Sequence, residues 1–254
     1  MNIVVSIRLV PDLIEELNID ENGCALDTTY LTMKLNEFDE HAVEQAILLK
    51  ERNGCQVTIT APEVEGVDEA LFLAAAKGAE RLIKIDGQFP ENTNNHTLAR
   101  AFTHVIEELK PDLILTGVGA HDDMDGSLGP LMAALLDLPY VGYISGVELR
   151  ENDILVRKEY PGGLIGEISI TPPAVLGIQA ADEPPRYVAV SKIRQVMKTA
   201  SIEKYEMAKI DVVDGVKVTR MFQQESTEKA TMLEGGIDEI AAKLVEIFKE
   251  ADVL

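Results

Sequence analysis

Short β-branched runs alternate with helix-length amphipathic stretches over the first 116 residues, and this alternation limits the fold more than any other feature. "NIVVSI" reads as a strand. "FDEHAVEQAILLKERNG" follows as a helix with Phe38, Ala42, Ile47 and Leu49 near one face. Asn36 stands as its N-cap, Asp39 lies three residues on, and Gly54 is the stop. Strand "QVTIT", Ala-rich helix "VDEALFLAAAKGA", strand "RLIKI", helix "NHTLARAFTHVIEEL" and strand "PDLILT" continue the pattern. Strands joined by helices of this length require right-handed crossovers and predict a parallel sheet covered on both faces.

Past residue 140 the texture changes. "GVELRENDILVRKEY" and "GLIGEISIT" predict antiparallel hairpins, broken by Asn152-Asp153 and Gly162-Gly163, and "PPAVLGIQ" returns one more core strand. The expected fold class is therefore α/β: a Rossmann-like, mostly parallel sheet flanked by helices, with antiparallel hairpin additions. That body occupies residues 1–182. Residues 183–226 lack clear periodicity and carry Pro184-Pro185 and scattered Lys and Arg, and 227–254 form an amphipathic terminal helix with Asp238 near its start. A long aperiodic segment followed by a helix reads as an arm wrapping a partner subunit or as a helix packed back on its own domain.

Composition bounds the function. A chain of 254 residues is long enough for a full core, and its net charge of −21 offers no basic face to release counterions, which argues against nucleic acid. The charge fits either a basic partner or plain solubility. Cys24 and Cys55 show no metal-type spacing and fit a reducing, cytoplasmic setting. No apolar run reaches the ~18 residues of a membrane span.

The stretch "LILTGVGAHDDMDGSLGP", residues 113–130, carries the candidate site. In parallel α/β sheets ligands sit beyond the carboxyl ends of the strands. Ser6, Ala61 and Thr116-Gly117 are small or polar residues at three such ends. The glycines allow tight turns, and Gly126, Ser127, Leu128 and Gly129 precede or open the helix "GPLMAALLD", with Pro130 in its first turn. Amides and dipole at such a helix start bind phosphate even in an acidic protein. An ordinary βα loop remains open as an alternative. Asp122, Asp123 and Asp125 do not make an EF-hand ladder, and neither a Walker A motif nor a GxGxxG fingerprint is present. No nucleophile elbow or other catalytic constellation is visible, and of the four histidines only His121 lies in the candidate site.

The order of motifs resembles the electron transfer flavoprotein beta-subunit (FixA-like) family along nearly the whole chain. "SIRLVPD" is similar to its first strand and turn, and "LNEFDEHAVEQAILLKE" to its "NPFDE-x-AVEEA-x-x-LKE" block. "AAAKGAERLIKI", "KPDLILTG…A-x-DD…GP", "VRKEYPGGLIGEISITPPAVLGI", "EPPRYVAVSKI" and "TMLEGGIDEIAAKLVEIFKE" follow in register.

The resemblance implies an electron carrier rather than an enzyme. It would pair with an alpha subunit whose mobile domain holds FAD, and bind either AMP or, in bifurcating members, a second FAD. Partners implied are an acyl-CoA or similar flavin dehydrogenase, and a quinone oxidoreductase or ferredoxin. Carried over by residue, Ser6, Asn36 and Ala61 would line the nucleoside. Gly117, His121, Asp122 and Asp123 belong to the nucleotide loop, and backbone groups of Gly126, Ser127, Leu128 and Gly129 would hold phosphate. Residues 187–197 fall on the loop that anchors dehydrogenases, with Tyr187, Val190 and Ile193 as contacts and Val190 where the family has Leu.

Several residues depart from the family pattern. Gly119 replaces a Gln, His121 an apolar residue and Met124 the third Asp. Gly126-Ser127-Leu128 stands where AMP-binding members carry Asn-Gln-Thr, whereas Leu128-Gly129-Pro130 is similar to the Val-Gly-Pro of bifurcating members. Leu13 stands where AMP-type members often place a Tyr near the alpha-subunit flavin. A stand-alone ATP- or AMP-binding sensor of the same fold, or a scaffold without nucleotide, is the competing reading. The sensor would be a flavin-free homodimer.

Overall fold

The computed structural model describes residues 1–253 apart from 88, 90–92, 124–125, 208–214, 224–229 and 231. Met124, Asp125 and part of the 183–226 segment therefore lie outside the described residues. The chain divides into two compact units, Met1–Met221 and Phe222–Leu254.

The first unit runs β1 (Asn2–Ser6), β2 (Leu9–Pro11), β3 (Met33–Leu35), α1 (Glu37–Asn53), β4 (Gln56–Pro62), α2 (Val67–Lys77), β5 (Arg81–Asp86) and α3 (Asn95–Leu109). It continues with β6 (Leu113–Gly117), α4 (Leu128–Leu135), β7 (Tyr140–Leu149), β8 (Ile154–Tyr160), β9 (Leu164–Ile170), β10 (Ala174–Ile178), α5 (Val190–Val196) and β11 (Ile202–Glu206). Nine strands form one sheet in the order β11-β5-β4-β1-β6-β10-β7-β8-β9. Every pairing from β11 to β7 is parallel, and β7–β8–β9 is an antiparallel meander. The predicted α/β class, the hairpins and the Pro-led core strand are all present. β2 and β3 pair separately as a short antiparallel ribbon.

The helices cover the sheet because the strands are apolar on both sides. β6 and β10 are buried at every position, as a parallel strand sandwiched between helix layers must be. One core layer joins β1, β4 and β6 to α1 and α2. The other joins Val4, Ile114 and Val175 to α3 and α4 through Leu98, Phe102, Leu128 and Met132. Each such side chain, fully buried, contributes roughly 1.5–3 kcal/mol. Local signals set the helix ends. Gly54 closes α1 at φ 70°, and the Asn94 side chain caps α3 by accepting from Thr97 N at 2.9 Å.

The described residues of 183–226 include regular elements that the sequence pattern does not show. The segment holds α5, and β11 pairs with β5 at the sheet edge, where Arg81 forks onto Glu203 at 2.8 and 2.7 Å. Its approach is fixed over α1. Ala181 N donates to His41 Nδ1, Asp182 N to Gln45 Oε1, and Arg186 N to Glu44 Oε2. This cover explains why α1 is buried well beyond its apolar face, Glu44 and Gln45 included.

The second unit contains α6 (Ile237–Glu250), which has no buried residue. Glu239 closes its start by accepting from Gly236 N at 3.1 Å. Ile237, Leu244, Ile247 and Phe248 are exposed along it. No described helix is long and apolar enough to cross a membrane.

Candidate functional site

The chain leaves β1 for β4 and β5 on one side, then returns to place β6 on the other. The crevice beyond the carboxyl ends of β1 and β6 is thus the point where strand order reverses, and ligands of open α/β sheets sit at such points. Ser6 and Gly117 end these two strands.

A level row of small residues crosses the sheet there: Thr60, Ser6, Thr116, Gly177 and Gly142 are successive register partners. Two residues below them Val4, Ile114 and Val175 face α3 and α4, so strand alternation turns this row to the same side. Ser6 Oγ and Thr60 Oγ1 lie 3.2 Å apart. Thr116 Oγ1 is fully buried and has no hydrogen-bond partner among the described residues. α4 begins directly over it: a Cβ on Gly129 would lie 3.0 Å from Thr116 Oγ1 and 2.9 Å from the Tyr140 ring. Tyr140 fills the Gly142–Gly177 end of the row, and burial pushes its phenol up to about 12.

The 117–130 loop is held at several points. Asp39, in the first turn of α1, accepts from Gly117 N at 2.8 Å and from Arg8 N at 2.9 Å. Burial pushes its carboxyl up to about 6, against the opposing pull of Arg8 and the two backbone donors. Asn36 Nδ2 donates to Gly119 O at 2.9 Å. It is the residue before α1, as expected, yet its side chain makes no cap bond and serves the loop instead. His121 Nε2–H donates to Pro11 O at 2.9 Å. Asp123 pairs with the buried Arg8: NH1 reaches Oδ1 at 3.1 Å and NH2 the other oxygen. Burial would lower the Arg8 guanidinium, but Asp123, Asp39 and Asp122 hold it above its ordinary value. Gly126 takes φ 56° at the turn into Ser127, and α4 proper starts at Leu128. The helix-start amides are therefore those of Leu128 and Gly129; Leu131 N already bonds Ser127 O.

A model of the "Electron transfer flavoprotein domain" matches residues 24–210 of this chain. The chain belongs to the electron transfer flavoprotein family. It is 32% identical over 261 residues to the electron transfer flavoprotein subunit beta of Methylophilus methylotrophus, covering 98% of each chain. It is 29% identical to the subunit of that name in Bradyrhizobium diazoefficiens over all of both chains. The Bacillus subtilis subunit is 28% identical over 87% of this chain and 88% of its own.

In this electron transfer flavoprotein chain the candidate residues fall into groups. Ser6, Asn36, Gly117, Asp123 and the start of α4 converge on the β1–β6 crevice. Ala61 does not join Ser6: one residue past Thr60, it points into the opposite core layer. Thr60 is the side chain that lies beside Ser6, and counting strand alternation would have found it. Leu128 is buried in the α3–α4 core, so only its amide faces the loop. Arg8, Asn95 and Asp39 are not among the site residues expected from sequence, because the contacts that join them to the loop span 31 to 115 residues of chain. Beyond β4 a surface cavity of about 500 Å³ is lined by Glu63, Glu65, Asp68, Glu69 and Lys84. Four carboxylates against one ammonium make it unsuited to phosphate. Tyr187 and Val190 are exposed on and beside α5.

Proposed function

We propose that this chain is the beta subunit of a heterodimeric electron transfer flavoprotein, which carries electrons between a flavin dehydrogenase and a redox acceptor. It would hold one adenine nucleotide, FAD or AMP, at the 117–130 loop. The observation that carries the nucleotide part is the convergence at the β1–β6 reversal. There a loop tied down by Asn36, Asp39 and Arg8 leads into a helix start above the hydroxyl of Thr116, which has no partner among the described residues. Backbone amides of Leu128 and Gly129 and the helix dipole suit phosphate without a basic side chain. The flavin supplies the redox chemistry; this chain's residues bind and orient.

Two surfaces would meet protein partners. The exposed stripe of α6 suits an alpha subunit, since a helix with no buried residue is poorly stable alone. Tyr187, Val190 and Ile193 on the 187–197 segment would meet a dehydrogenase. Co-expression with an alpha-type electron transfer flavoprotein subunit should give a one-to-one heterodimer that elutes with flavin absorbance. Separate elution of the two chains, or a flavin-free homodimer of this one, would favour the stand-alone sensor.

A further inference from the structure

We propose that Arg8 is the positioning residue of the nucleotide loop, setting nucleotide affinity through Asp123 rather than by touching the ligand. This rests on the nucleotide reading above.

Arg8 follows the end of β1 and is only 8% exposed. Its guanidinium forks onto both oxygens of Asp123. Asn95, in the first turn of α3, closes the triangle: its Oδ1 accepts from Arg8 NH1 at 3.1 Å, and its Nδ2 donates to Asp123 Oδ1 at 2.7 Å. The backbone N–H of Arg8 goes to Asp39, whose other oxygen takes Gly117 N. One residue therefore fixes the stem of the loop at Gly117 and its middle at Asp123. Held at these two points, the loop would set the Leu128 and Gly129 amides of α4 toward the phosphate.

Charge gives Arg8 a second task. Asp39, Asp122 and Asp123 all act on this one cation, in a chain of net charge −21. Without Arg8 the loop would present uncompensated carboxylates to an incoming phosphate, and the amides alone would have to overcome them. A lysine keeps the charge but cannot grip both carboxylate oxygens and Asn95 in one plane. Among the described residues Arg8 Nε is buried without a partner, and the guanidinium is held on its NH1 and NH2 edge by Asp123 and Asn95.

The test uses the co-expressed heterodimer, stripped of nucleotide and titrated calorimetrically with AMP and with FAD, alongside thermal unfolding. Hydrogen bonds to charged groups of this kind are worth about tenfold to a hundredfold in affinity. Arg8→Lys should weaken nucleotide binding about tenfold, and Arg8→Met about a hundredfold with a lower Tm. Arg8→Met combined with Asp123→Leu removes the orphaned carboxylate and should regain Tm while leaving affinity low. A folded double variant with wild-type affinity would overturn the proposal and reduce the pair to a structural ion bridge. A wild-type heterodimer that takes up neither nucleotide at this chain would instead overturn the nucleotide reading itself, and the proposal with it.

Discussion

Replacing Gly117 by alanine will destabilise the protein by about 3 kcal/mol, the scale of an overpacked core site. The added Cβ would lie 2.5 Å from Asp39 Oδ1, 2.7 Å from Phe38 Cβ and 2.8 Å from Asp39 N. Two of those atoms belong to side chains and one to the backbone of α1, so no single rotamer relieves the clash. Asp39 cannot swing aside either, because its oxygens already serve Gly117 N and Arg8 N. Relief requires α1 to move off β6 at the crevice. In a domain of this size the cost corresponds to a fall in Tm of roughly 6–12 °C. Gly119→Ala is the control: among the described residues its Cβ would meet nothing nearer than 3.9 Å, and the change should stay within about 0.5 kcal/mol. Urea unfolding of the two variants checks the contrast, and equal stabilities would contradict it.

The second large effect is expected at Arg186→Met. Arg186 donates from its backbone N and its Nε to Glu44 at 3.0 and 2.7 Å, and from NH1 and NH2 to Glu51 at 2.5 and 3.0 Å. These carboxylates hold its guanidinium far above its ordinary range. The two are not equivalent. The Glu44 side chain is 2% exposed and that of Glu51 52% exposed. Methionine would strand the Glu44 charge in the core. Breaking a buried pair costs several kcal/mol, and the partial exposure of Arg186 brings the expectation down to about 2 kcal/mol. Glu51→Gln, by contrast, should cost under about 1 kcal/mol. Proteolysis should quicken around residues 181–189 in Arg186→Met, since that segment lies against α1 through this contact. Unchanged cleavage there would show that other contacts hold it.

Much of the fold was legible because its elements announce themselves locally. The α3 stretch has an Asn cap at one end and Lys110-Pro111 at the other, and β10 is a continuous apolar run behind two prolines. β11 was not legible: "IEKYE" is a polar edge strand whose order comes from β5 and from the Arg81–Glu203 fork, both far away in sequence. The site divides in the same way. The loop, Ser6 and Gly117 could be placed from small residues at strand ends. Thr60 in place of Ala61 needed the parity of one strand against the next. Arg8 is a lone arginine in "SIRLVPD" whose partners lie 31, 87 and 115 residues along the chain, so no window of sequence contains the cluster. Asn36 occupied the expected N-cap position, but the loop's carbonyl at Gly119 claimed its side chain.

The proposed site would make this chain itself the carrier of an adenine nucleotide within an electron transfer flavoprotein. The most direct measurement is cofactor stoichiometry: purify the heterodimer with its alpha-type partner, denature it, and quantify FAD and AMP by chromatography. Two adenine nucleotides per heterodimer are expected, one of them on this chain. Two FAD would place a flavin on the 117–130 loop and point to bifurcation, whereas one FAD with one AMP would mark a structural nucleotide and a simple shuttle. A heterodimer holding one FAD and nothing more would contradict that expectation.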